Sequence, residues 1–173
     1  MAVALRSLAD FLGTHGQLSE AMASLDEAEP LERRLYAIDP DDVHLGFGLS
    51  SMLFSRGELK ERIGDQVGAR AAYAESIAID EELLAKGHQD GGLRLLLAST
   101  LMNLGLLEGH AGRVDEAARA YRRAFEIAKT IAPPDPSAAM AARITAVLSG
   151  VVPDRSAEPE SGGAMDDARN DAR

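Results

Sequence analysis

The side chains best suited to chemistry in this sequence are four histidines and a few runs of neighbouring acids. A zinc-binding helix places two histidines three or four residues apart, because that spacing puts both rings on one face. No such pair occurs here, since the four lie far apart in the chain: His15, His44, His88 and His110. We therefore expect solvated histidines in or beside turns, and no metal site.

The acidic clusters lie within stretches that read as helices, where adjacent side chains point in different directions. Acid–base catalysis by two carboxylates requires them to face each other at a defined separation. Asp26-Glu27 with Glu29, and Asp80-Glu81-Glu82, are therefore predicted to be solvated helix faces.

Other signatures of catalysis are also missing from the sequence. There is no cysteine for a thiolate nucleophile, thiolate metal site or disulfide. The segment "GFG" at 46–48 lacks the remaining glycines of a dinucleotide loop, and no Walker loop or serine elbow occurs. We expect a protein that is not an enzyme and holds no cofactor.

Composition narrows the class of partner. The chain has 173 residues, of which 28 are acidic and 18 are Lys or Arg, giving a net charge of −10. Nucleic acids and anionic membranes attract clustered Lys and Arg, so neither is expected as the main partner. The start shows no signal peptide, and the longest uncharged apolar stretch, between Arg94 and Glu108, is too short to cross a bilayer. A cytoplasmic location is expected.

A repeat of 48 residues organises the chain, and three copies align without a gap. In the aligned positions, small residues match small ones and bulky residues match bulky ones, which an Ala-rich composition alone explains poorly. The columns that show this are Gly16, Gly64 and Gly112; Ala21, Ala69 and Ala117; Leu25, Tyr73 and Tyr121; Ala28, Ser76 and Ala124; Leu5, Leu53 and Leu101; and Ala9, Gly57 and Gly105.

Each copy reads as a helix, a tight turn at the shared Gly, and a second, antiparallel helix. Apolar residues recur at steps of three and four on both sides of Gly112, and a left-handed Gly there would end the first helix. Asp42 and Asp90 are plausible N-caps. Gly105 and Ala117 are expected to let the two helices approach closely. The predicted helices are 2–13, 17–37, 42–62, 66–86, 91–110 and 114–131.

The pattern defines one repeat domain, 1–150, followed by a tail. Its repeats cover about 2–38, 42–86 and 90–131, and a helix at 137–150 is expected to cap the last repeat, as an open stack requires. Residues 151–173 are rich in Pro, Gly, Ser and charge, so we expect a disordered acidic tail.

The repeated columns resemble the tetratricopeptide repeat (TPR) superfamily, and in particular its long-repeat bacterial members. The best copy is Leu104-Gly105, Gly112, Ala117, Tyr121 and Ala124. The resemblance covers roughly residues 2–131 and implies an all-α fold, a right-handed superhelix (α-solenoid) of three helix-turn-helix repeats. The sequence departs from the family pattern at Arg56, Lys60 and Glu108, where large apolar residues are usual.

The resemblance also implies a function: first helices line a concave groove that binds peptide segments of partner proteins. The groove-facing columns fall on Arg6, Asp10, Phe54, Glu58, Met102, Asn103 and Leu106. Apolar pockets beside Asp10 and Glu58 would favour a peptide with apolar and basic residues. Only Arg6 and Asn103 could contribute to a clamp for a terminal carboxylate, so that mode is not expected.

Three alternatives to a peptide-binding scaffold remain open. The chain could be a regulatory or sensor segment of a larger bacterial signalling protein with a kinase, NTPase or transcription-regulator domain. It could be an enzyme, or a stack that assembles with itself. Val3, Leu8 and Phe11 form an apolar edge of the first helix that has no preceding helix to cover it. This edge predicts a further partner: a second copy of the chain, or the rest of a longer array of which the chain is one piece.

Overall fold

The computed structural model describes residues 1–88 and 90–131. These residues form six α-helices and no strand. The helices are α1 (Ala2–Thr14), α2 (Leu18–Ile38), α3 (Val43–Arg62), α4 (Gln66–Ala85), α5 (Gly91–His110) and α6 (Val114–Ala128). Every helix expected up to residue 131 is present, although α6 ends three residues early. The predicted cap helix at 137–150 and the tail at 151–173 lie outside the described residues.

The helices form three antiparallel pairs that stack in chain order. The closest packing is within the pairs α1/α2, α3/α4 and α5/α6, and each second helix also packs on the next first helix. The first helices touch one another as well, α1 against α3 and α3 against α5. This layered arrangement is the expected all-α solenoid. Its right-handed sense stays a prediction.

The shared glycines form the turn inside each pair, as the repeat predicted. Gly16, Gly64 and Gly112 have φ of 79°, 84° and 75°, a left-handed conformation that strains any residue with a Cβ. The turns between pairs end at the predicted N-caps. Asp42 accepts the His44 amide at 2.7 Å, and Asp90 accepts the Leu93 amide at 2.8 Å.

The column of Gly57 and Gly105 leaves room for a tyrosine ring in each of the later pairs. A Cβ on Gly57 would lie 2.3 Å from the Tyr73 ring, and one on Gly105 would lie 2.7 Å from the Tyr121 ring. Ala117 lies against Gly109, at 3.9 Å from the position that a Cβ there would take. The small residues therefore serve to seat two aromatic rings as well as to bring backbones together.

The charged residues that depart from the family pattern form ion pairs with neighbouring segments of the chain. Arg56 binds Asp26 at 2.6 Å and Glu29 at 2.5 Å, which ties α3 to α2. Glu108 is almost completely buried, and it binds Arg70 of α4 and Arg113 of the turn after α5. A charged group thus replaces an apolar one where an opposite charge from an adjacent segment can reach it.

One acidic cluster is not the solvated face that the sequence predicted. Glu81 and Glu82 are exposed, but Asp80 is fully buried and neither of its oxygens accepts a hydrogen bond from the described residues. Glu32 occupies the same column one repeat earlier and is also buried, with one oxygen unpartnered. Withdrawal from water raises the pKa of Asp80 to about 7, and the nearby Ser50 hydroxyl opposes this in part.

Candidate functional site

A groove runs along the first helices α1, α3 and α5. It consists of three adjoining depressions with volumes of about 450, 420 and 420 Å³. The first lies between α1 and α3, and the other two lie mainly between α3 and α5. Glu58 borders all three, so they form one continuous surface, which we call the first-helix groove.

The structure brings six of the seven predicted residues together in this groove. Each lines at least one of the three depressions: Asp10, Phe54, Glu58, Met102, Asn103 and Leu106. Their exposure differs, because Leu106 is 37% exposed whereas Met102 is only 7% exposed. Met102 therefore belongs to the floor, and Leu106 to the accessible wall.

Arg6, the seventh predicted residue, lies elsewhere. Its guanidinium Nη1 donates to the carbonyl of Gly48 at 3.3 Å, and the side chain is half-buried. It lines none of the three depressions. The observed contact is a link between α1 and α3.

The charged groups of the groove are mainly acidic. Asp10, Glu58 and Glu61 line it, and the cation among its lining residues is Arg62. Arg62 already donates to the Gly13 carbonyl at 2.6 Å. An incoming basic side chain would therefore meet carboxylates that the groove itself neutralises only in part.

Glu58 lies at the centre of this acidic surface. Its Oε1 accepts a hydrogen bond from the Asn103 amide at 3.2 Å. Partial withdrawal from water raises the pKa of Glu58, the Asn103 bond lowers it, and the Asp10 and Glu61 carboxylates raise it further. A cation bound beside Glu58 would relieve this repulsion.

Several lining residues were missed by the sequence analysis. They lie one or two turns before the predicted ones on the same helices: Phe47 and Ser51 on α3, and Leu95, Leu96 and Ser99 on α5. The steps 47, 51, 54, 58 and 95, 99, 102, 106 have the spacing of one helix face. Extending that stripe towards each N-terminus would have found all of them except Leu96.

The described residues offer neither a side-chain cluster for a metal ion nor a membrane-spanning helix. Within residues 1–88 and 90–131, no group of three or more His, Asp or Glu side chains is placed to hold a metal ion. None of the helices in that part of the chain is long and apolar enough to cross a bilayer.

Comparison with known proteins identifies the third helix pair. Residues 97–137 match the tetratricopeptide repeat family. The chain carries a TPR-type repeat. The match begins within α5, includes the whole of α6 and contains the Gly105–Tyr121 contact, so the resemblance to a TPR-type repeat is confirmed for the third helix pair. Among curated proteins, none matches the sequence.

A solved structure extends the likeness in fold. The chain is similar to the crystal structure of BtubC (BKLC) from P. vanneervenii, with a TM-score of 0.60 and 15% sequence identity. The similarity covers 98% of this chain and 71% of that one. At this identity the likeness concerns the fold alone, and it supports the helical array of the described residues.

Proposed function

We propose that the protein is a non-enzymatic interaction module of the cytoplasm that binds an extended or helical peptide segment in the first-helix groove. TPR-type repeats generally mediate protein–protein interactions. Six of the seven residues taken from the groove-facing columns of this family line the first-helix groove. The observation that carries the proposal is the continuity of the three depressions, which gives one surface that spans all three first helices.

The lining favours a peptide with apolar and basic residues. Phe54, Leu96 and Leu106 supply apolar surface along α3 and α5, with the flexible Met102 in the floor. Basic side chains would lie over Asp10, Glu58 and Glu61. Such a groove gains affinity from apolar burial and gains partner selectivity from charge.

Selection from a displayed random peptide library tests this preference. The wild type is expected to enrich peptides in which Lys or Arg alternates with Leu, Ile, Met or Phe. The Glu58→Lys/Leu106→Lys variant is expected to lose that enrichment, because it reverses the central charge and removes an exposed apolar contact. Both side chains are exposed, so the change should leave the helical fold intact.

A matched control carries the same change in charge on second helices. Glu27 and Val114 are exposed on α2 and α6, and Glu27→Lys/Val114→Lys should enrich the same peptides as the wild type. Equal loss in both variants would attribute the effect to net charge and would remove the groove from the proposal.

A further inference from the structure

The outer side of α1 carries a row of side chains that nothing in the described residues covers. Ala4, Leu8, Phe11 and His15 follow at steps of four, three and four, the spacing of one helix face in a helix–helix contact. All four are exposed, Leu8 at 46% and Phe11 at 57%. The His15 ring lies against that of Phe11, with centroids 4.2 Å apart. We call this row the α1 seam.

Two of the four seam columns, those of Ala4 and Phe11, are buried in the two later repeats. One repeat on, Ala4 corresponds to Met52 and Phe11 to Leu59; two repeats on, they correspond to Thr100 and Leu107. All four are buried: the exposed fraction is 0% for Met52, 5% for Leu59, 0% for Thr100 and 1% for Leu107. The Leu8 column is half-buried at Arg56 and Leu104, and Ile63 in the His15 column is 52% exposed. The Ala4 and Phe11 columns are therefore the helix-packing positions of this face in both later pairs.

The contacts of the later repeats show what covers this face. Leu59 lies 3.1 Å from the position that a Cβ on Gly13 would take, and Gly13 belongs to the preceding pair. Leu107 packs in a cluster with Ala69 and Tyr73, again of the preceding pair. A helix of the preceding pair thus covers the Phe11 column in both α3 and α5.

The residues of the α1 seam differ in size from those of the later repeats. Ala4 is smaller than its counterparts, Met52 and Thr100, and Phe11 is larger than its counterparts, Leu59 and Leu107. The seam is nearly symmetric about Leu8, since Ala4 lies four residues before it and Phe11 three residues after it. An antiparallel copy of α1 would therefore place each Ala4 opposite a Phe11, with the two Leu8 side chains meeting at the centre.

We propose that the α1 seam is the interface of a two-fold symmetric dimer, in which α1 of a second copy lies antiparallel to it. A two-fold interface must be self-complementary, and the alternation of small and large residues meets that condition. The charged residues of α1 are Arg6 and Asp10, and neither belongs to the seam. The seam also leaves the first-helix groove free, because α1 turns Asp10, Gly13 and Thr14 towards the groove.

The dimer should be weak and dependent on concentration. One helix of 13 residues per copy forms a small interface, of the size found in transient complexes, below about 1,200 Å² in total. The apparent mass of the wild type, measured by sedimentation over a wide concentration range, is expected to rise from one copy towards two. A constant mass of one copy at every concentration would overturn the proposal.

Paired variants locate the interface. Leu8→Glu/Phe11→Glu is expected to remain at the mass of one copy throughout, with unchanged helical circular dichroism. Val67 and Val114 are 82% and 68% exposed on α4 and α6, so Val67→Glu/Val114→Glu serves as the control and should behave as the wild type does. Association that survives in the seam variant, or disappears in the control alone, would place the interface elsewhere.

The absence of cysteine from the sequence allows the symmetry to be tested directly. Leu8→Cys places one thiol beside the proposed two-fold axis, and a short bis-maleimide is expected to join two such copies at high yield. Val114→Cys should stay mostly uncoupled under the same conditions. Association without coupling at Leu8→Cys would contradict the antiparallel arrangement.

Discussion

Replacing Gly105 by alanine is expected to lower the free energy of unfolding by about 3 kcal/mol, at the upper end of the usual cost of overpacking. The new Cβ would lie 2.7 Å from the ring of Tyr121, which is 3% exposed and has little room to move. Gly57→Ala should cost at least as much, because its Cβ would lie 2.3 Å from the fully buried Tyr73. Urea unfolding followed by circular dichroism measures both changes.

Gly109 provides the matched control, since it lies one turn after Gly105 on α5. A Cβ there would meet Ala117 at 3.9 Å, an ordinary contact. Gly109→Ala should therefore be neutral or stabilise the fold by up to about 1 kcal/mol through helix propensity. Equal losses at Gly105 and Gly109 would show that the ring contact is not the cause.

The first repeat suggests how the loss at Gly105 is rescued. In that repeat Ala9 takes the place of Gly105 and Leu25 takes the place of Tyr121, and both are fully buried in one core cluster. Adding Tyr121→Leu to Gly105→Ala should recover part of the lost stability, because the smaller side chain gives the new methyl group space. The sum of the two single effects would then exceed the effect of the double variant.

Raising the pH from about 4 to about 7 is expected to destabilise the fold through Asp80. Burial raises the pKa of this carboxyl from 3.8 to about 7. The unfolded chain therefore releases the proton at a lower pH than the folded chain does. The contribution of Asp80 to stability is complete below about pH 4 and is lost as the pH rises through 7, by a total of about 4 kcal/mol.

Asp80→Asn should remove this pH dependence, because the amide does not titrate. The measurement is the free energy of unfolding of both proteins between about pH 2.5 and 8, and the quantity compared is the difference between the two curves. Asp42→Asn is the control of opposite sign: backbone amides of Leu45 and His44 lower the pKa of Asp42, so its effect appears only below about pH 4. Parallel curves for wild type and Asp80→Asn would contradict the assignment.

The architecture was predictable because the turns and the core recur in fixed columns. The left-handed backbone of the turns requires a glycine, which gives Gly16, Gly64 and Gly112. The helix N-termini require a capping side chain, which Asp42 and Asp90 supply. These are local demands that a sequence displays directly. The burial of Asp80 was missed because its neighbours Glu81 and Glu82 are charged. The better signal was the helical stripe Tyr73, Ser76, Asp80 and Leu83, all of which are buried.

The groove was only partly predictable. Residues on first helices face it by position in the repeat, which explains why Phe54, Glu58 and Leu106 line it. The position of Arg6 depends instead on the Gly48 carbonyl, an acceptor on another helix that no sequence pattern indicates. The depth of Met102 likewise depends on how closely neighbouring pairs pack.

The most direct test of peptide binding in the first-helix groove is the equilibrium affinity of one library-selected peptide for three proteins: the wild type, Glu58→Lys/Leu106→Lys and Glu27→Lys/Val114→Lys. We expect binding to weaken at least tenfold in the first variant, equivalent to about 1.4 kcal/mol or more, and to remain within about twofold of the wild type in the second. Unchanged affinity in the groove variant, with its helical fold intact, would contradict the account.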